Sequence, residues 1–248
     1  LSELVAELGP AAAYLSHAET ILPAEHEWAE KVKAVRKDLL DKLATDRSGQ
    51  DIADIRRKLQ SLKKDYITAY IGSHTKARLG VSEDRTKNAL RKDSRLVSLR
   101  VLAGISLMPT SQLAAYEEKL DRLKSCASLI ESDLSANPFC PHCSFRPANE
   151  QRELLPAANV LANMDEELDK LVTAWQQTLL DNLDDPIIQA NLELLKPAEI
   201  KLIKGFVSSK TLPDPVTPAF VSAIQEALSG LERISMTIDD IRQALLVG

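Results

Sequence analysis

Four stretches of this chain place apolar side chains at alternating steps of three and four residues, the spacing that lines up one face of an α-helix. Trp28, Val32, Val35, Leu39 and Leu43 form the first stripe, between Pro23 and about Asp46. Ile52, Ile55, Leu59, Leu62, Tyr66 and Ala69 form the second, after the turn Asp46-Arg47-Ser48-Gly49. A helix with one apolar face must bury it, and a short turn between two such helices makes an antiparallel hairpin the natural arrangement. The third stripe follows Pro109, with Thr110 or Ser111 as N-cap, and runs through Leu113, Tyr116, Leu120, Leu123, Ala127 and Ile130. The fourth spans about 149–182 with Leu154, Ala158, Leu161, Leu168, Val172, Trp175 and Leu179, interrupted by Asp165, which calls for a local gap or a basic partner. We expect a mainly α fold of coiled-coil-like antiparallel hairpins over residues 1–183, with a Cys-rich knuckle at 126–147 forming the tip of the second hairpin, and a small helical C-terminal subdomain over 184–248.

The remaining segments fit that frame. Residues 82–103 predict two short helices capped by Ser82 and Asp93, and Gly104–Pro109 a short extended piece. Beyond Asp184-Asp185-Pro186 we expect small helices at about 186–195, 197–208, 217–229 and 238–246, a proline-rich connector at 211–218, and a minor strand where Ile234, Met236 and Ile238 alternate. Aromatic residues are only 4% of the 248 positions while Leu, Ala, Lys, Glu and Asp are abundant, a mix that favours helix over sheet. No apolar run approaches the length of a membrane span and no signal peptide is visible. The chain opens on Leu and enters helical pattern at once, so we read it as a piece of a longer protein.

The third and fourth stripes flank Cys140-Pro141-His142-Cys143, two thiols two residues apart in a proline-bounded knuckle that can hold one side of a metal ion. The only other cysteine is Cys126, with 13 residues between it and Cys140, near the end of the incoming helix. An odd count of three argues against a disulfide scaffold and for a reducing, cytoplasmic setting. A closed structural zinc site needs four ligands. Of the histidines, His142 lies between the knuckle cysteines and should point away from a shared ion, while His17 and His26 sit near the N-terminal helices. His74 follows the second stripe, where a helix end can approach the knuckle. The resulting hypothesis is a structural zinc ion held by His74, Cys126, Cys140 and Cys143. Two rivals stay open: three reduced thiols with Cys126 a small buried hydrophobe, and redox use of the CxxC pair.

Charge is uneven. Residues 150–248 carry a net charge of −8 against +3 for residues 1–149. Within the latter, Lys76, Arg78, Arg85, Lys87, Arg91, Lys92, Arg95 and Arg100 face only Glu83, Asp84 and Asp93 over residues 76–100. Such a stretch suits an anionic partner such as DNA, but no aromatic residue lies within it to stack on bases. The alternative is a helix face paired with the acidic C-terminal part. No phosphate-cradling GxxxxGK[ST], HExxH or GxSxG pattern occurs, and the acidic clusters Asp165-Glu166-Glu167 and Asp184-Asp185 suit helix capping and solvent exposure better than paired catalytic carboxylates.

Several runs together resemble a known family: His74-Thr-Lys-Ala-Arg-Leu-Gly80, Asp93-Ser-Arg-Leu96, Leu102-Ala-Gly-Ile-Ser-Leu-Met-Pro109, Cys126, Asp133-Leu134, Cys140-Pro-His-Cys-Ser-Phe-Arg-Pro147 and Leu228-Ser-Gly-Leu-Glu232. Over roughly residues 50–248 the chain resembles the C-terminal region of large bacterial PglY-like ATPases of phage-growth-limitation and BREX-type defence systems. The resemblance implies an ATPase module elsewhere in the parent protein, partners among other defence proteins or the rest of its own chain, and work on or near DNA. The His74 and three-cysteine set fits that family's pattern. On this reading the chain is a non-enzymatic, zinc-pinned interaction module; a nucleic-acid-binding module using residues 76–100 is the second reading, and an enzyme using the acidic clusters the third.

Overall fold

The computed structural model describes residues 27–43, 49–135, 137–147 and 155–246. His17, His26, the turn at 44–48 and Leu154 lie outside them. The described chain is mainly helical, as the stripes predict. Helix α1 (Glu27–Leu43) and helix α2 (Gly49–Ala77) are followed by a short strand β1 (Arg78–Leu79), then α3 (Val81–Arg91), α4 (Ser94–Leu102) and α5 (Thr110–Arg122). Strand β2 (Lys124–Ser125) and a 3-10 turn (Glu131–Leu134) precede the knuckle. Helices α6 (Ala157–Leu183), α7 (Pro186–Leu192), α8 (Pro197–Ser209) and α9 (Pro218–Leu246) complete the chain. No described helix is long and apolar enough to cross a membrane.

The chain divides into two compact units, one of residues 1–84 and 123–160, the other of residues 85–122 and 161–248. In the first, α1 and α2 form the expected antiparallel hairpin. The Trp28 indole donates to the Leu62 carbonyl at 2.9 Å, Lys31 pairs with Asp65 at 3.2 Å, and Lys58 pairs with Asp38. The α2 partners fall from Leu62 and Asp65, opposite Trp28 and Lys31, to Lys58 opposite Asp38, which fixes the direction. Trp28 and Val32 bury against Leu59, Leu62 and Tyr66, with the Trp28 and Tyr66 rings 5.0 Å apart. The same core takes in Tyr70, Leu129, Leu134, Cys140 and Phe145, so the segment after β2 is built into the hairpin's hydrophobic face.

In the second unit, α4 buries Leu96, Leu99 and Leu102, and the following turns bury Ile105 and Met108. Helix α5 adds Leu113, Tyr116 and Leu120, and α6 adds Leu161, Met164, Leu168, Trp175 and Leu179. Asp165 meets a basic partner rather than a gap. Asp93, Asp165 and Asp169 converge on Arg95 at 2.8, 2.6 and 2.5 Å. Helix α9 packs against α7 and α8, with the Phe206 and Phe220 rings edge to face at 5.6 Å. Asp93 caps α4 by accepting from the Arg95 amide, and Asp185 caps α7 ahead of Pro186.

Several local expectations are corrected. The third stripe ends at Arg122, because Lys124 and Ser125 pair with β1, so Ala127 and Ile130 are exposed rather than seam positions. Cys126 therefore follows a strand, not a helix end. The connection from 123 to 156 is much longer than a hairpin loop. In the fourth stripe Ala157, not Ala158, turns inward. Ser82 lies inside α3 and donates to Glu83 at 2.9 Å instead of capping the helix. Gly104–Pro109 folds as consecutive turns, with Ile105 and Met108 amides donating to the carbonyls three residues earlier. The expected helices at 217–229 and 238–246 are one helix running through the predicted strand at 234–238.

The burial pattern of α4 yields a direct check. Leu99 is fully buried whereas Val97 is 44% exposed. Leu99→Ala should cost about 2–5 kcal/mol and Val97→Ala less than about 0.5. Urea unfolding followed by circular dichroism reads both, and equal losses would contradict this packing.

Candidate metal centre

One face of α2 organises the site. Lys63, Tyr66, Tyr70 and His74 recur at steps of three and four residues, so they stack along one side of the helix. Each holds a point on the irregular segment opposite. The Lys63 ammonium donates to the Ser135 carbonyl at 2.7 Å, and the Tyr66 hydroxyl to the Pro138 carbonyl at 2.6 Å. The Tyr70 hydroxyl accepts from the Cys140 amide and donates to the Phe145 carbonyl, both at 2.9 Å. It thereby ties the two ends of the knuckle together. Burial pushes the Tyr70 pKa up, which keeps the hydroxyl protonated and able to donate. His74 ends the row, 2% exposed, with its Nε2 3.5 Å from the Cys143 Sγ.

Cys126 reaches this place through the strands. Arg78 pairs with Lys124 and Leu79 with Ser125 in parallel register, and the Cys126 amide donates to the Leu79 carbonyl at 3.0 Å. Because β1 follows α2 directly, the pairing sets Cys126 beside the helix end that carries His74. The Cys126 and Cys140 Sγ atoms lie 3.7 Å apart. The four donor atoms of His74, Cys126, Cys140 and Cys143 all fall within 4.8 Å of one another. The proposed set is brought together in full. His142 is exposed and outside it; its amide donates to the Cys140 Sγ at 3.3 Å, which helps shape the knuckle.

These distances suit a tetrahedral zinc ion. With Zn–S near 2.3 Å and Zn–N near 2.0–2.1 Å, tetrahedral edges come to about 3.75 Å for S···S and about 3.5 Å for S···N. The observed 3.7 and 3.5 Å match those edges. The protonation chemistry of the metal-free cluster agrees. Burial and the neighbouring thiols of Cys143 and Cys140 push Cys126 up to about 12. Cys143 moves down: burial opposes this, but the Phe145 amide, the two other thiols and Arg78 outweigh it. His74 is held below its ordinary value by burial, then by Arg78 and His142, so the ring is neutral and its lone pair available. Three thiols at this spacing cannot all ionise unaided, and a divalent cation removes the conflict while displacing their protons.

The aromatic surround closes the site. Phe145 is 1% exposed and meets His74 edge to face at 5.3 Å and Tyr70 at 5.6 Å. Tyr70, Phe145 and Lys63 were not legible as site residues, although the spacing of Tyr66, Tyr70 and His74 was available in the sequence as a sign that one helix face does more than pack.

The basic stretch is dispersed. Arg91 pairs with Asp121, Arg95 with its three aspartates, and Arg100 with Glu117 at 2.7 Å. Lys87 is 6% exposed, and Arg78 lies beside the candidate centre with its guanidinium 4.8 Å from the Phe145 ring centroid. Lys76, Arg85 and Lys92 are exposed. The acidic clusters are likewise engaged: Asp165 with Arg95, Glu166 with Lys170 and Glu167 with Lys119.

The structure thus defines a mainly helical protein with a candidate Cys3His centre. Residues 1–74 match the fifth domain, and residues 82–174 the sixth domain, of a family of unknown function, DUF6079. Both matched stretches are thus similar to domains of one family, and the donor set draws on each: His74 closes the first match and the three cysteines lie within the second. Comparison with curated proteins and with solved structures gave no match.

Two outcomes follow from these contacts. Tyr70→Phe leaves the Cys140 amide without its partner and takes one of two donors from the Phe145 carbonyl, which keeps Arg146; it should cost about 1–3 kcal/mol in thermal or urea unfolding, and an unchanged stability would mean the hydroxyl does not bridge the knuckle. Asp93 is held below the usual carboxylate range, first by its side-chain bond with Arg95. That contribution is present above the unfolded carboxylate pKa near 4 and fades as pH falls through the lower folded value. Asp93→Asn should therefore narrow the stability gap between pH 7 and pH 3, and a gap as wide as the wild type's would contradict the assignment.

Proposed function

We propose that this chain is a non-enzymatic interaction module of a larger protein, in which a structural zinc ion clamps the 123–147 segment onto helix α2. The observation that carries this reading is the match of the 3.7 and 3.5 Å donor separations to the edges of a zinc tetrahedron. Bound there, zinc would supply a closed cross-link. Four protein donors leave no position for water or substrate, so the site would hold structure rather than hydrolyse anything. His74 brings the helix; Cys126 brings the strand pair; Cys140 and Cys143 bring the knuckle. What the clamp presents outward is the loop of Pro141, His142 and Ser144, all at the surface.

The wider setting is also a proposal. The resemblance to PglY-like ATPases supports a place within a multi-protein phage-defence assembly of bacteria, acting in the cytoplasm, where thiol ligands stay reduced. The partner is then another protein of that assembly or the rest of the parent chain. The ion pairing of Arg91, Arg95 and Arg100 with carboxylates lowers the charge that residues 76–100 can offer to DNA and favours the protein-partner reading.

Elemental analysis of the purified 248-residue chain should find close to one zinc per molecule, with Cys140→Ser and Cys143→Ser each removing most of it. Zinc well below one equivalent and indifferent to both substitutions would overturn the proposal. Because His74 falls in one family match and the cysteines in the other, a piece limited to residues 82–174 should bind zinc far more weakly than the whole chain.

A further inference from the structure

The sequence places Arg78 among basic residues suited to DNA, but its surroundings give it another task. The β1–β2 register sets it opposite Lys124, two positions before Cys126. Its Nη1 donates to the Ala77 carbonyl at 3.2 Å, and its guanidinium lies over Phe145, 4.8 Å from the ring centroid. Phe145 in turn meets the His74 ring edge to face. Against the effect of burial, Arg78 is one of the groups that lower the Cys143 thiol. Arg78 therefore lies against the aromatic wall behind His74 and close enough to favour the Cys143 thiolate, in a half-buried position where water screens little.

Charge makes that contact consequential. A divalent ion with three thiolates and one neutral imidazole carries a net negative charge, and among the described residues no Asp or Glu joins the four donors. Arg146 is also nearby, but it lies over Phe139 at 3.7 Å and donates to the Phe145 carbonyl at 2.8 Å. We propose that Arg78 is the counter-ion of the metal centre: its guanidinium balances the excess negative charge of the zinc–thiolate cluster and holds Cys143 in position to ligate. This rests on the zinc clamp proposed above. A planar guanidinium suits the task because it can stack on Phe145 and donate in its own plane to sulfur at once.

The test is a zinc competition titration against a chromophoric chelator, on the whole chain, for the wild type, R78Q, R78K and R146Q, with the metal-free melting temperature of each. R78Q keeps a donor without charge, and R78K keeps charge without the planar fork. Zinc affinity should fall about 10–100-fold in R78Q, the range for groups that support metal ligands. It should be largely recovered in R78K and unchanged in R146Q. Equal losses in R78Q and R78K would mean that Arg78 only packs, and would overturn the counter-ion role. So would full affinity in R78Q while the wild type binds zinc. A wild type that binds no zinc would overturn the clamp itself, and this role with it. If R78Q does not fold, R78M takes its place, since its unbranched stem still covers Phe145.

Discussion

The first unit depends on what one face of helix α2 does for a segment that cannot fold by itself. Residues 123–147 hold a two-residue strand and a single 3-10 turn, so most of their backbone amides and carbonyls have no ladder to join. Buried groups of this kind need partners. Lys63, Tyr66 and Tyr70 supply them at 135, 138, 140 and 145, and His74 meets the knuckle at Cys143. Leu129, Leu134 and Phe145 add apolar burial against the same face. The helix works as a rail on which each turn captures the next point of the loop.

Hydrogen bonds from exposed or half-buried groups contribute only about 1 kcal/mol each, which is little against the entropy of ordering some twenty-five residues. The proposed metal cross-link among positions 74, 126, 140 and 143 would change that balance, because it would close long loops in a single event and its binding energy would become folding energy. The aromatic row and the metal are complementary on this account. Tyr70 and Phe145 place the donors near their final separations, so little rearrangement is left for the ion to impose. The cation of Arg78 would then offset the charge that three thiolates bring into a partly buried site.

Sequence patterns carried much of this, in ways that follow from what each pattern encodes. Apolar periodicity reports a buried helical face, and so Trp28, Leu59, Leu62, Leu161, Leu168 and Trp175 fall where expected. The four donors were legible from residue type and scarcity: three cysteines leave few ways to complete a site. Tyr70 and Arg78 were not, because periodicity treats a tyrosine as bulk and composition treats an arginine as charge. Their roles arise from tertiary neighbours 65 to 75 residues away, such as Phe145. The end of α5 at Arg122 was missed for a related reason: β2 exists only because β1 is there to pair with it. Helix α9 shows the converse. Ile234, Met236 and Ile238 alternate as a strand would, but no partner strand is present among the described residues, and the helix begun at Pro218 continues through them.

The central claim is that the three cysteines and His74 share one ion as a closed tetrahedron. X-ray absorption at the zinc edge on the purified chain tests it most directly, since it reads ligand type and distance at the metal itself. The account predicts three sulfur scatterers near 2.3 Å and one nitrogen near 2.0–2.1 Å, with the imidazole multiple-scattering pattern lost in His74→Ala. A shell with fewer than three sulfurs, with oxygen in place of the imidazole, or with no change in His74→Ala would contradict it.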